Sequence, residues 1–127
     1  MNRKFVLGAV LALAAGASYA QDAQDTVAIG KKLTTNNCAV CHTFGKGEPN
    51  GQGPNLFGIL GKPFASEPGF KYSAGMKAAA ASKVWDDKLL DAWLTDTQTV
   101  APGNAMTYFE GDPARRAKII AYLRTLH

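Results

Sequence analysis

The stretch Cys38-Ala39-Val40-Cys41-His42 contains both cysteines of the chain, separated by two residues and followed directly by a histidine. This is the spacing of c-type haem attachment. Two thiols so placed can each add to one vinyl group on the same edge of a porphyrin, and the next residue then offers an imidazole nitrogen to the iron. We therefore predict that Cys38 and Cys41 hold one covalently bound haem c and that His42 is the fifth iron ligand.

Other uses of a cysteine pair have different requirements. A disulfide suits an exported protein, and a thioredoxin-type dithiol uses the same spacing on a βαβ scaffold, but the sequence predicts no strands. A four-cysteine zinc site needs more cysteines than the chain contains. A thiol oxidoreductase using Cys38 and Cys41 as a dithiol is the alternative that the pair leaves open.

Residues 1–20 have the features of a cleaved secretory signal peptide. Arg3 and Lys4 form its charged start, an apolar run of small and aliphatic residues follows, and small residues precede a cut after Ala20. The run is too short to span a bilayer comfortably, so we expect no membrane anchor. Cleavage would leave residues 21–127 as a single domain.

The basic character of the chain is partly a property of this signal. Without Arg3 and Lys4, 12 of the 14 basic residues stand against 10 acidic ones, and the net charge falls from +4 to about +2. The chain has no arginine-rich run with interleaved aromatic residues and no nucleic-acid motif. We therefore expect a soluble periplasmic protein with no nucleic acid partner.

The remaining pattern predicts an all-α domain with long ordered loops. Segment 43–71 is rich in glycine and proline, which excludes a regular helix, and segment 95–108 is also predicted to be a loop. Helices are expected where apolar periodicity follows a capping residue: from Asp25 or Thr26 to about Asn36, from near Ser73, over Asp86–Leu94, and from Pro113 after the cap Asp112.

The sixth iron ligand decides the chemistry, and three residues could supply it: Met76, Met106 and His127. A strong sixth ligand restricts the iron to electron exchange, whereas an open position lets it bind gases or substrates. Met76 falls in an alanine-rich helix, where methionine usually fills a core. Met106 follows Pro102-Gly103 in an irregular loop, and we favour it as the ligand.

Further motifs resemble those of class I c-type cytochromes, the mitochondrial cytochrome c and bacterial cytochrome c2 group. They are Gly30-Lys31-Lys32-Leu33, Gly53-Pro54-Asn55-Leu56, Pro68-Gly69-Phe70-Lys71-Tyr72, Trp85, Pro102-Gly103-Asn104-Ala105-Met106 and Ile120-Ala121-Tyr122-Leu123. The resemblance implies the class I cytochrome c fold, four to five helices wrapped around one haem, with Met106 as sixth ligand. It also implies that the Pro54 carbonyl accepts a hydrogen bond from His42 and that Tyr72 and Trp85 hydrogen-bond a haem propionate.

The function implied by the resemblance is a monomeric periplasmic electron carrier and not an enzyme. Its donor would be a periplasmic dehydrogenase or membrane cytochrome complex, and its acceptor a terminal oxidase or reductase. A haem enzyme or gas sensor with a displaceable Met106, or a fixed subunit of a larger redox complex, are the alternatives.

The sequence departs from the family pattern around the haem. Thr34 replaces an aromatic residue of the first helix, and Lys62 stands where an arginine often meets a propionate. The exposed haem edge lacks the lysines of eukaryotic members, because segment 91–113 contains no basic residue and the flanking positions are polar or small: Asn37, Gln98 and Ala105.

Overall fold

A computed structural model describes residues 7–127, with side chains from residue 18 onward. It contains five helices in this order: α1 (Leu7–Cys38), α2 (Ala74–Ala79), α3 (Asp87–Thr95), α4 (Thr97–Val100) and α5 (Pro113–Leu123). Within the described range, β-pairing is limited to isolated bridges joining Pro63 to Val84 and Asp96 to Phe109. The first six residues of the predicted signal peptide 1–20 lie outside the described residues.

Helix α1 begins far before the predicted start near Asp25, so that prediction was wrong. Asp25 and Thr26 do not cap a helix but take part in hydrogen bonds inside one. The Gln21 side-chain amide donates to Asp25 over 3.2 Å, and the Thr26 hydroxyl donates to the carbonyl of Asp22 over 2.9 Å. The alanine-rich segment before them has high helix propensity and contains no proline, so the helix continues through both segments.

The later helices begin where their capping residues predict. Ser73, Asp86 and Asp112 each accept a hydrogen bond from a backbone N–H of the first turn, at 3.3, 2.7 and 2.8 Å respectively. Helix α4 was not predicted and interrupts the expected loop 95–108. It is a single turn that Asp96 caps by accepting from the N–H of Gln98.

Helix α1 crosses α5 at Gly30. A Cβ added to Gly30 would lie 1.9 Å from the carbonyl oxygen of Lys118, so only glycine permits this close approach. One turn further along, Thr34 is completely buried and its hydroxyl donates to the Gly30 carbonyl over 2.8 Å. The crossing fixes the end of α1, and hence Cys38, relative to α5.

The core lies between α3, α5 and the long loop that follows α1. The rings of Phe64, Trp85 and Trp93 contact one another with centroids 4.6 to 5.8 Å apart. Aliphatic side chains complete this core: Leu90, Leu94, Ile119, Ile120 and Leu123. Among the described helices, none has the combination of length and apolarity that a bilayer crossing requires.

Candidate functional site

A cavity of about 620 Å³ opens beside this core. Its volume falls in the range of sites that enclose small molecules and cofactors. Its wall is more apolar than polar, and polar and charged side chains lie among the aliphatic and aromatic ones. The seven residues that the sequence analysis assigned to haem binding all line it: Cys38, Cys41, His42, Pro54, Tyr72, Trp85 and Met106.

The two thiols lie at the end of α1, where the chain turns. The N–H groups of Cys41 and His42 both donate to the carbonyl of Cys38, over 3.0 and 2.9 Å, and this turn places all three side chains on the cavity wall. Burial, and to a lesser extent the neighbouring Cys41, raises the pKa of Cys38 to about 11. The attacking thiol of an oxidoreductase requires a lowered pKa, so Cys38 does not suit that role.

The His42 ring is fixed by the backbone of Pro54. Nδ1 lies 2.7 Å from the Pro54 carbonyl oxygen, and because a carbonyl only accepts, Nδ1 carries the proton and Nε2 keeps its lone pair. Burial lowers the pKa of His42 despite the opposing effect of the Pro54 hydrogen bond, so the imidazole is neutral near neutral pH. A neutral imidazole with one committed nitrogen is the form that binds a metal.

Gly53 lies directly behind the same ring. A Cβ at this position would be 2.3 Å from Cε1 of His42 and 2.7 Å from each ring nitrogen. The N–H of Gly53 donates to the Cys41 carbonyl over 2.8 Å, which holds the Gly53-Pro54 turn against the attachment stretch. The sequence resemblance included Gly53 in a motif but did not reveal this contact.

Met106 lies in a loop that α4 holds by its polar side chains. The Thr97 hydroxyl and the Gln98 amide donate to the Met106 carbonyl over 2.6 and 3.2 Å. The Met106 N–H donates to the side-chain oxygen of Asn104 over 2.8 Å. The sequence analysis missed the roles of Thr97 and Asn104, both of which are buried.

The other two candidates for the sixth ligand are placed differently. Met76 also lines the cavity, from helix α2, and packs against the core. His127 is exposed, its ring is 3.1 Å from the carbonyl of Arg124, and it does not line the cavity.

Tyr72 and Trp85 both have a hydrogen-bond donor available at the cavity. The Tyr72 hydroxyl oxygen accepts from the N–H of Glu67 over 3.0 Å, so its own proton can still be donated. Burial raises the pKa of Tyr72 and keeps that proton in place. The structure shows no partner for the Trp85 indole N–H among residues 18–127.

Lys62, in contrast, is already paired. Its ammonium group lies 2.9 Å from the Glu67 carboxylate and 2.8 Å from the carbonyl of Phe57, to both of which it donates. Tyr72 and Trp85 are therefore the donors best placed for a further carboxylate in this part of the cavity.

Comparison with known proteins gives a consistent result. The sequence model of the Cytochrome c family matches residues 27–127. The chain is 37% identical over 110 residues to cytochrome c of Sesamum indicum, covering 85% of this chain and 96% of the relative. It is 41% identical over 99 residues to cytochrome c2 of Rhodopila globiformis, covering 76% and 90%. The structure of cytochrome cH from Methylobacterium extorquens aligns with a TM-score of 0.70 at 35% identity, covering 78% of this chain and 97% of that one.

A helical fold closed around a cavity that bears a Cys-Ala-Val-Cys-His stretch defines a class I c-type cytochrome. The chain belongs to the cytochrome c family. Its cofactor is one covalently attached haem c, and proteins of this family carry electrons between redox partners. The predicted family, all-α fold class and cofactor are thereby confirmed.

Proposed function

We propose that the chain is a soluble, monomeric, periplasmic electron carrier that transfers one electron through a haem ligated by His42 and Met106. Thioether bonds to Cys38 and Cys41 would attach the haem. The observation that carries the proposal is that these four side chains line one cavity, while the second nitrogen of His42 is committed to Pro54.

The bound haem supplies a one-electron couple. The protein contributes a neutral His42 held in one orientation and a Met106 whose backbone is hydrogen-bonded on both sides. Ligands that keep the same geometry in both oxidation states keep the rearrangement on electron transfer small. The apolar cavity wall excludes water and favours the less charged ferrous state, which raises the reduction potential.

Three groups support the site in this proposal. The Pro54 carbonyl increases the basicity of His42 as a ligand through the bond to Nδ1. The Tyr72 hydroxyl and the Trp85 indole would donate to a haem propionate, because both have a donor available at the cavity wall.

The periplasmic location rests on the predicted signal peptide. Its basic start, apolar run and small residues before the cut after Ala20 favour export and cleavage. Haem attachment by two covalent bonds also suits an exported protein, because the cofactor cannot dissociate. Mass spectrometry of the periplasmic fraction should find a mature N-terminus at Gln21, and a chain retaining residues 1–20 would contradict cleavage.

Redox partners would dock on a surface of uncharged side chains, two from the attachment stretch and two from the Met106 loop. We call this surface the docking face, and its members are Ala39, Val40, Ala105 and Tyr108. Val40 is 84% exposed. Tyr108 lines the same cavity as the attachment cysteines, and burial, with a smaller contribution from Cys38, raises its pKa. The donor would be a periplasmic dehydrogenase or membrane cytochrome complex, and the acceptor a terminal oxidase or reductase.

The two methionines of the cavity provide the test of ligation. Met106→Ala should abolish the iron–sulfur charge-transfer band of the oxidised protein and allow carbon monoxide to bind the reduced form. Met76→Leu should keep the band and exclude carbon monoxide, because it removes only a core side chain. Carbon monoxide binding to the unmodified protein would instead favour the haem enzyme or gas sensor.

A further inference from the structure

Helix α2 lies directly against the loop that carries Met106. It has no fully buried residue, but Gly75 contacts the loop backbone. A Cβ added to Gly75 would lie 2.5 Å from the Pro102 carbonyl oxygen and from the carbonyl carbon of Gly103, and 2.6 Å from the Asn104 nitrogen. Side-chain Cβ atoms do not approach backbone atoms this closely, so a side chain here would require α2 or the loop to move.

The loop cannot yield easily, because α4 holds its other side. The Gln98 side chain accepts from the Gly103 N–H over 3.1 Å. The Asn104 amide donates to the carbonyls of Ala101 and Thr97 over 2.8 and 3.1 Å. The loop is thus held between the polar side chains around α4 and the glycine of α2.

Helix α2 is also fastened at both ends. The Ser73 hydroxyl caps its first turn, and the Lys83 ammonium donates to the Ala79 carbonyl over 2.7 Å at its last turn. The residues that flank the helix are held as well: the Tyr72 hydroxyl accepts from the backbone N–H of Glu67, and the backbone N–H of Trp85 donates to the Lys62 carbonyl. The short helix therefore has a fixed position against the loop.

We propose that Gly75 is a positioning residue for the sixth iron ligand. The missing Cβ lets α2 press against residues 102–104, and this contact keeps the Met106 sulfur at the iron. The inference rests on the proposed ligation by Met106. An added ligand can bind the iron only in the fraction of molecules whose loop has withdrawn, so the contact sets the apparent affinity for such a ligand.

Imidazole titration of the oxidised holoprotein tests this role. Gly75→Ala should weaken the iron–sulfur charge-transfer band and tighten imidazole binding by about tenfold, because the added methyl group displaces the loop. Gly30→Ala is the matched control. It introduces an even closer contact with backbone, 1.9 Å from the Lys118 carbonyl oxygen, but at the crossing of α1 and α5. It should lower the free energy of unfolding without a comparable gain in imidazole affinity.

A second pair keeps the inference testable if Gly75→Ala does not fold. Ala78→Gly lowers the helix propensity of α2 at an exposed position, and Ala117→Gly does the same in α5. The α2 variant should bind imidazole about fivefold more tightly than the unmodified protein, and the α5 variant should not.

Two results distinguish a failure of the Gly75 role from a failure of Met106 ligation. A missing charge-transfer band in the unmodified protein would overturn the Met106 ligation and the inference with it. A normal band in that protein, together with imidazole affinities that do not differ within either pair of variants, would overturn the role of Gly75 alone.

Discussion

The Nδ1–H of His42 donates to the carbonyl oxygen of Pro54 over 2.7 Å. Proline has no N–H, so the Pro54 backbone offers only an acceptor here. The bond settles the tautomer of the imidazole and leaves Nε2 as the nitrogen that can bind the iron. Gly53, one residue earlier, supplies the surface on which the ring rests. Two adjacent residues of one loop therefore fix both the tautomer and the position of the proposed fifth ligand.

Replacing Gly53 should test this support. Gly53→Ala places a methyl group 2.3 Å from Cε1 of His42, so the ring or the loop must shift. We expect the free energy of unfolding of the holoprotein to fall by about 1–3 kcal/mol, measured by denaturant titration. Gly111→Ala is the control, because its Cβ would lie 3.3 Å from the exposed ring of Phe109, which can move aside. Equal losses in the two variants would contradict the special role of Gly53.

Thr97 should hold the Met106 loop in place. Its buried hydroxyl donates to the Met106 carbonyl over 2.6 Å and accepts from the Tyr108 N–H over 3.2 Å. Thr97→Val keeps the shape but leaves both backbone groups without this partner, at a cost on the order of 2 kcal/mol. Denaturant unfolding should show this loss, together with a weaker iron–sulfur charge-transfer band.

Thr99→Val is the comparison for that variant. Thr99 is exposed, and its hydroxyl donates to the Asp96 carboxylate over 3.0 Å. The substitution should cost less than about 1 kcal/mol and leave the band intact. A Thr97→Val protein with an unchanged band would show that the Thr97 hydroxyl does not fix the ligand loop.

The sequence was informative where the determining interactions are local. The attachment stretch is five consecutive residues, and the caps Asp86 and Asp112 bond to N–H groups within three positions of themselves. Local chemistry of this kind can be identified without knowing the fold. The same local rule predicted the wrong start for α1. Asp25 is a good capping residue, but it lies inside a helix that continues through it.

The contacts that shape the site are long-range, and the sequence could not supply them. Gly75 meets a backbone segment that begins 27 residues later at Pro102. Thr97 lies in a single helical turn that is too short to give a periodic sequence pattern. Asp96 followed by polar residues is a capping signal that could have indicated this turn. Neither residue type suggests a role near an iron until the fold places it against the Met106 loop.

Arg116 in the last helix and Arg124 just after it should differ in their contribution to stability. Arg116 has an 11% exposed side chain, donates to Asp91 of α3 over 2.7 Å, and also donates to the carbonyl of Glu110. The substitution Arg116→Leu leaves the Asp91 carboxylate and the Glu110 carbonyl without this donor. It should lower the free energy of unfolding by about 2 kcal/mol.

Arg124 follows the end of α5 and pairs with Asp87, but its side chain is 58% exposed. Arg124→Leu should cost less than about 1 kcal/mol. The hydrogen bond from Arg124 lowers the pKa of Asp87. The pair therefore stabilises the folded protein at pH values above the ordinary pKa of an aspartate, and this stabilisation is lost as pH falls through the pKa of Asp87 in the folded state. Unfolding curves at neutral and acidic pH should show a difference between unmodified and Arg124→Leu proteins that disappears in acid. If Arg124→Leu lowered the free energy of unfolding more than Arg116→Leu, the expectation that the buried arginine contributes more would be contradicted.

The docking face should make electron transfer insensitive to salt. Its members carry no charge, and no basic residue occurs anywhere in segment 91–113. Charges separated by more than about 10 Å are screened at ordinary ionic strength, so only charges at the contact give a steep salt dependence. Electron self-exchange between reduced and oxidised molecules brings two docking faces together and requires no known partner, and its rate can be measured from NMR line broadening.

We expect the self-exchange rate of the unmodified protein to change by less than about threefold between low and moderate salt. Val40→Lys places a charge on each of two facing molecules, so its rate should start lower and rise as salt screens the repulsion. Thr125→Lys adds the same charge at an exposed position after α5 and should behave like the unmodified protein. A strong salt dependence in the unmodified protein would mean that charges outside the docking face govern the encounter. An equal change of rate with salt in the two lysine variants would show that electron exchange does not take place through the surface around Val40.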